Sequence, residues 1–242
     1  MLKILSIGNS FSEDAHRHLY KAACASGVEI FNENLYIGGC PLSRHYENLQ
    51  SDAEAYDLHC KGLGNLGKIS IDRALKSNDW DIVTLQQVSH LSVDFSTYEP
   101  YLTALASHIR EVLPNTKIAI HQTWSYRPDS EKLASFGIYE THGEMFDDIR
   151  KAYARAVEAV NADLILPSGE TLEALKNMGY NVHRDDFHAN RLGDYAAAIT
   201  WIKMLFGEDT LPKDSASIDF ELSEKELSDI DKAARASVEK YR

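Results

Sequence analysis

The sequence is short of several things, and each shortage excludes a class of protein. It has three cysteines in 242 residues, Cys24, Cys40 and Cys60. An odd number without paired spacing indicates neither a disulfide framework nor a zinc-finger site, so the three read as reduced thiols. Basic residues are also scarce, with 25 Lys and Arg against 37 Asp and Glu, a formal charge of −12. That balance opposes the phosphate backbone of nucleic acid and anionic lipid, and neither is expected as a partner. No apolar run approaches the roughly eighteen residues of a membrane-spanning helix. Met1-Leu2-Lys3 leads straight into an apolar segment with no room for a secretory leader, which makes a cytoplasmic protein the expectation. Repeats, low-complexity stretches and linkers are missing too, so residues 1–242 are expected to form a single domain, long enough to bury a full core.

What is present is organised around the first dozen residues. Ile4-Leu5-Ser6-Ile7 suits a buried strand, Gly8-Asn9-Ser10 is turn chemistry, and Phe11 opens a helical stretch reaching about Ala25. A strand that breaks through Gly into a helix presents Ser10 at the C-terminal edge of a parallel sheet. There the helix N-terminus would stabilise developing negative charge. The same residues also fit a cap: Ser10 stands at capping-box spacing from Glu13, and Ser12 is an equally good N-cap ahead of an acidic first turn.

Further strands are expected at Val28–Ile37, Asp81–Leu85, Thr116–Gln122 and Asp163–Pro167, and helices at about 69–77, 97–113, 144–161, 171–178 and 192–206. Residues 42–67 are irregular, polar and crowded with Gly62, Gly64 and Gly67 at one end; they read as an insertion over the sheet edge. The tail has its own capping box, Ser223 with Glu226, and reads as a surface helix over about 223–240. Strands alternating with helices predict an α/β fold, a three-layer α/β/α sandwich around a mostly parallel sheet of about five strands. In such a sheet Ser10, Gly39, Gln86 or Gln87, His121 and the loop from Asp185 to His188 converge on one edge.

A serine nucleophile needs a base, a carboxylate to orient the base, and donors for the oxyanion. Ser10, His188 and Asp185 fit those roles, with the Gly39 N–H and a Gln side chain as donors. At this point the pattern resembles the SGNH (GDSL-type) hydrolases, closest to their bacterial DUF4886 subgroup, over nearly the whole of Leu2 to Phe206. The family's Gly-Asp-Ser block stands here as Gly8-Asn9-Ser10. Its glycine block is matched by Gly39 within Ile37-Gly38-Gly39-Cys40, and its Asp-x-x-His block by Asp185-Asp186-Phe187-His188. The Gly-x-Asn-Asp block is replaced by Leu85-Gln86-Gln87-Val88-Ser89.

The resemblance implies a flavodoxin-like SGNH fold and ester hydrolysis through an acyl-enzyme, without metal or organic cofactor. It makes Ser10, Asp185 and His188 catalytic, and Ser10, Gly39 and Gln86 (or Gln87) the oxyanion donors. The expected substrate is a small ester, a short acyl group such as acetyl on a sugar, with His90, His121 and Trp124 as binding residues and Tyr126 as a further flat surface. Two other classes stay open. One is a non-catalytic carbohydrate- or ligand-binding descendant; the other is a metal hydrolase using His183, Asp185 and His188 with His90 or His121, although no His-Glu-x-x-His pattern supports it.

Overall fold

In the computed structural model, which describes residues 1–212 and 220–242, a seven-stranded sheet runs through the molecule with helices on both faces. In chain order the elements are β1 (Leu2–Gly8), α1 (Ser10–Arg17), α2 (Leu19–Ala25), β2 (Ile30–Tyr36), α3 (Leu42–Gln50), β3 (Tyr56–Cys60), β4 (Leu63–Ile69), α4 (Ile71–Leu75) and β5 (Ile82–Leu85). They continue with α5 (Tyr101–Val112), β6 (Lys117–His121), α6 (Glu131–Ser135), α7 (His142–Val160), β7 (Leu164–Leu166), α8 (Ser168–Asn177), α9 (Arg191–Phe206) and α10 (Glu224–Glu239).

Spatially the strands follow the order β4-β3-β2-β1-β5-β6-β7. The five from β2 to β7 are parallel, which puts their C-terminal ends on one edge, and β3 and β4 are antiparallel additions. Two strands beyond the five expected therefore come from the segment read as irregular. Lys61 and Gly62 both have positive φ, 53° and 68°, the signature of a two-residue hairpin turn whose twist matches the strands it joins. The glycines that suggested a loop make a hairpin instead, and the insertion extends the sheet rather than covering it. Ile69 belongs to β4, leaving the following helix only Ile71–Leu75.

Period-two alternation sorts the strand side chains between two cores. Leu5 and Ile7 of β1 pack with α3, α4, α5 and α7, whereas Ile4 packs with α1, α2, α8 and α9. The C-terminal helix begins at the Ser223–Glu226 capping box, and Ile230, Ala233 and Ala234 seal its inner face against the second core. Among the described residues no helix is long and apolar enough to cross a membrane.

Candidate active site

The turn after β1 settles which residue caps α1. A side chain on Gly8 would collide with Ser12, so only glycine allows the helix to leave the strand this closely. Asn9 is the N-cap: its Oδ1 accepts the Phe11 N–H at 3.1 Å, while the Ser12 hydroxyl lies 2.8 Å from both Asn9 O and Asn34 Oδ1. Neither serine is the cap. Ser10, the first helical residue, keeps its hydroxyl for another partner, and His188 Nε2 stands 2.9 Å from Ser10 Oγ.

On the far side of the ring, His188 Nδ1 is 2.7 Å from Asp185 Oδ2. An ionised carboxylate only accepts, so Nδ1 carries the proton and Nε2 is left to accept from Ser10. Asp185 Oδ1 takes the backbone N–H groups of Phe187 and His188 at 3.0 and 2.8 Å. Partial burial works against its ionised form, but those two N–H groups and the His188 ring outweigh it and hold the carboxyl at about 2. Asp186 points elsewhere, toward Arg127 at 3.7 Å.

A buried charge cluster clamps this loop to the helix that carries Ser10. Asp14 of α1, with no exposed side-chain surface, accepts the Ala189 N–H at 2.9 Å and Arg184 Nη1 at 2.8 Å. Asp194 of α9 joins it through Arg17 at 2.8 Å. The backbone N–H groups of Ser10 and Gly39 meet no acceptor among the described residues, and Gly39 has a φ of +62°. Both residues line a cavity of about 790 Å³ that also holds His188. The arrangement can transfer a proton from a hydroxyl to an imidazole backed by a carboxylate, with two free N–H donors beside it.

With that geometry in view, comparison with other proteins places the chain. The family described as "Domain of unknown function (DUF4886)" matches residues 3–235. The chain belongs to the DUF4886 family. A DUF4886 family protein from Bacteroides uniformis superposes with a TM-score of 0.89 at 28% identity, covering 98% of this chain and 94% of that one. A candidate SGNH hydrolase from Slackia heliotrinireducens gives a TM-score of 0.59 at 22% identity over 82% and 95% of the two chains. A candidate GDSL-like lipase from Parabacteroides merdae gives 0.55 at 19% over 84% and 94%. The fold is that of the SGNH hydrolases. No curated protein matches the chain significantly.

In this DUF4886 chain several residues expected at the site lie elsewhere. Gln86 Nε2 donates to Asn9 Oδ1 and Gln86 Oε1 faces His121 Nδ1, both at 2.8 Å. Gln87 accepts from the Leu42 and Val88 N–H groups and donates to Thr97. Both amides are thus committed inside the fold, because a buried amide takes whichever partners cover it, and neither lines the cavity. Val88, Ser89 and His90 line that wall instead.

His121 is fully buried, with Ser168 on its other nitrogen at 3.1 Å, and does not line the cavity. Trp124 is also fully buried. It packs on Phe11 and donates to the Phe187 carbonyl at 2.8 Å, supporting the His188 loop from behind. The proposed metal set is not assembled. His183 turns its Nε2 to the Ser125 carbonyl and His121 is engaged as above, away from Asp185 and His188.

Tyr36, Lys132, Phe136 and Phe187 line the cavity without having been singled out, and Asp14 and Arg184 were missed as the clamp. Gln86→Leu tests the corrected role. Removing one of the two donors to Asn9 Oδ1 and leaving His121 Nδ1 unpaired should cost about 1–3 kcal/mol in urea unfolding. A fall in kcat with unchanged stability would instead return Gln86 to the oxyanion.

Proposed function

We propose that the chain is a serine ester hydrolase acting through an acyl-enzyme and removing a small acyl group, acetyl in the simplest case, from a carbohydrate or similar small ester. The observation that carries this reading is the continuous chain from Ser10 Oγ through His188 to Asp185, at 2.9 and 2.7 Å, opening on the cavity. His188 Nε2 takes the Ser10 proton as Oγ attacks the carbonyl carbon, and Asp185 stabilises the imidazolium. The Ser10 and Gly39 N–H groups and the α1 N-terminus receive the oxyanion. His188 then protonates the leaving alcohol, and a water activated by the same ring releases the acid. No step calls on a metal or an organic cofactor.

The cavity walls support a small, partly apolar substrate. Tyr36, Tyr126, Phe136 and Phe187 offer ring surface of the kind that packs on the C–H faces of a pyranose. Labelling is the direct test: a fluorophosphonate should form a covalent adduct on the peptide containing Ser10, and His188→Ala should lose it. Acetate should be released from acetylated sugars or aryl acetates. Absence of both labelling and hydrolysis would overturn the reading.

The commitment of both Gln amides favours one alternative, a binding module that has kept the fold. Equal binding of an acetylated sugar by wild type and Ser10→Ala, with no turnover by either, would select it.

A further inference from the structure

We propose that the cavity selects esters carrying a single carboxylate and that Lys132 is the residue that reads it; the inference rests on the hydrolase reading of the same site. Asp and Glu make up 37 of 242 residues and the chain carries −12, yet among the described residues no acidic side chain lines the cavity. Lys132 is the one Lys or Arg among the described residues that line it. The lining therefore carries a charge of opposite sign to that of the whole molecule.

Lys132 differs from its cationic neighbours in having its charge unused. Arg127 is paired with Asp129 at 2.6 Å, and Arg184 with Asp14 at 2.8 Å. Lys132 Nζ instead rests 4.3 Å above the centre of the Phe187 ring, and among the described residues no carboxylate lies within ion-pair distance of it. A ring face steadies an ammonium without neutralising it, leaving its N–H donors available to a ligand. The platform is itself fixed relative to the reacting groups. Phe187 adjoins His188, and Trp124 holds its carbonyl. One substrate can therefore meet Ser10 and Lys132 together.

The charge balance sets the number of anionic groups. A carboxylate inside the cavity sits beside Lys132, whereas further charges on a polyanion would face the acidic exterior, screened only beyond about 10 Å at 0.1 M salt.

The test compares 4-acetoxybenzoate with its uncharged analogue 4-acetoxybenzamide. Wild type at low ionic strength should favour the anion by about fivefold in kcat/KM, as expected for one solvent-facing charge pair, and added salt should shrink the preference. Lys132→Met should bring the ratio to about one, Lys132→Arg should keep it, and Lys132→Glu should invert it. A wild type without preference, or a preference that survives in Lys132→Met, overturns the proposal.

Calorimetric binding of both compounds to Ser10→Ala, with and without Lys132→Met, separates the two readings. Carboxylate-selective binding that depends on Lys132 but comes with no turnover in wild type would sink the hydrolase and leave the anion site standing. Turnover without selectivity would do the reverse.

Discussion

Ser10→Ala is expected to lower kcat for ester hydrolysis by at least about ten-thousandfold, with KM nearly unchanged and the melting temperature moved little. The size follows from the linkage of the three groups. Without Oγ, His188 has no proton to take and Asp185 no imidazolium to stabilise, so removing one member forfeits nearly the whole covalent route. The small change in stability follows from the cap. Asn9 holds the first turn of α1 and Ser12 ties it to β2, while among the described residues the one partner of the Ser10 hydroxyl is His188. Steady-state kinetics and thermal unfolding on the same preparation decide it. Activity retained in Ser10→Ala would end the nucleophile assignment, and a drop in stability of several degrees would mark the serine as structural.

The second large effect is on stability in mild acid. His16, His45, His121 and His183 are each buried and held near 3 in the folded chain, chiefly by the cost of charging them away from water. Each is anchored as a neutral ring: His16 between Ser6 and Asn32, His45 on Tyr56, His121 between Gln86 and Ser168, His183 on the Ser125 carbonyl. In the unfolded chain all four protonate near 6.5. The stability they confer is complete above that pH and drains as the pH falls toward 3.

Asp194 and Asp14 act in the opposite sense, since burial pushes both carboxyls up, reinforced at Asp194 by the Asp14 charge, and the two offset part of the loss. With a net uptake of about two protons on unfolding, stability should fall by roughly 3 kcal/mol for each pH unit between about 6 and 4.5. For a chain of this size that corresponds to roughly 6–12 °C in melting temperature per unit. Urea titrations across that range give the slope, and His45→Gln should make it shallower by about one proton. A flat profile would show that the four rings are not held neutral.

How much of this was legible beforehand depends on how far apart the interacting residues lie. The parallel strands, the turn after β1 and the capping box at Ser223 are local, set by period-two burial, by glycine and by side chains reaching three residues along the chain. The contact between Asp185 and His188 is local as well, because a three-residue spacing on one turn brings carboxylate and ring together. The hairpin of β3 and β4 was hidden because its glycines read as loop, although at Gly62 the residue serves a turn with positive φ.

What remained belonged to tertiary structure. Ser10 and His188 are 178 residues apart, and their hydrogen bond depends on Asp14 gripping Ala189 and Arg184 across that separation. The fates of Gln86, His121 and Trp124 were undecidable for the same reason. A polar side chain at a strand end can face a substrate or complete a buried network, and its composition is identical in both cases. Asn9, Ser168 and Phe187 gather around these three only after the sheet has assembled and α1, α8 and the loop before α9 have packed beside it. By itself the sequence determined which chemistry the strand ends contain; packing decided which of those groups were drawn inward to satisfy one another and which were left facing the cavity.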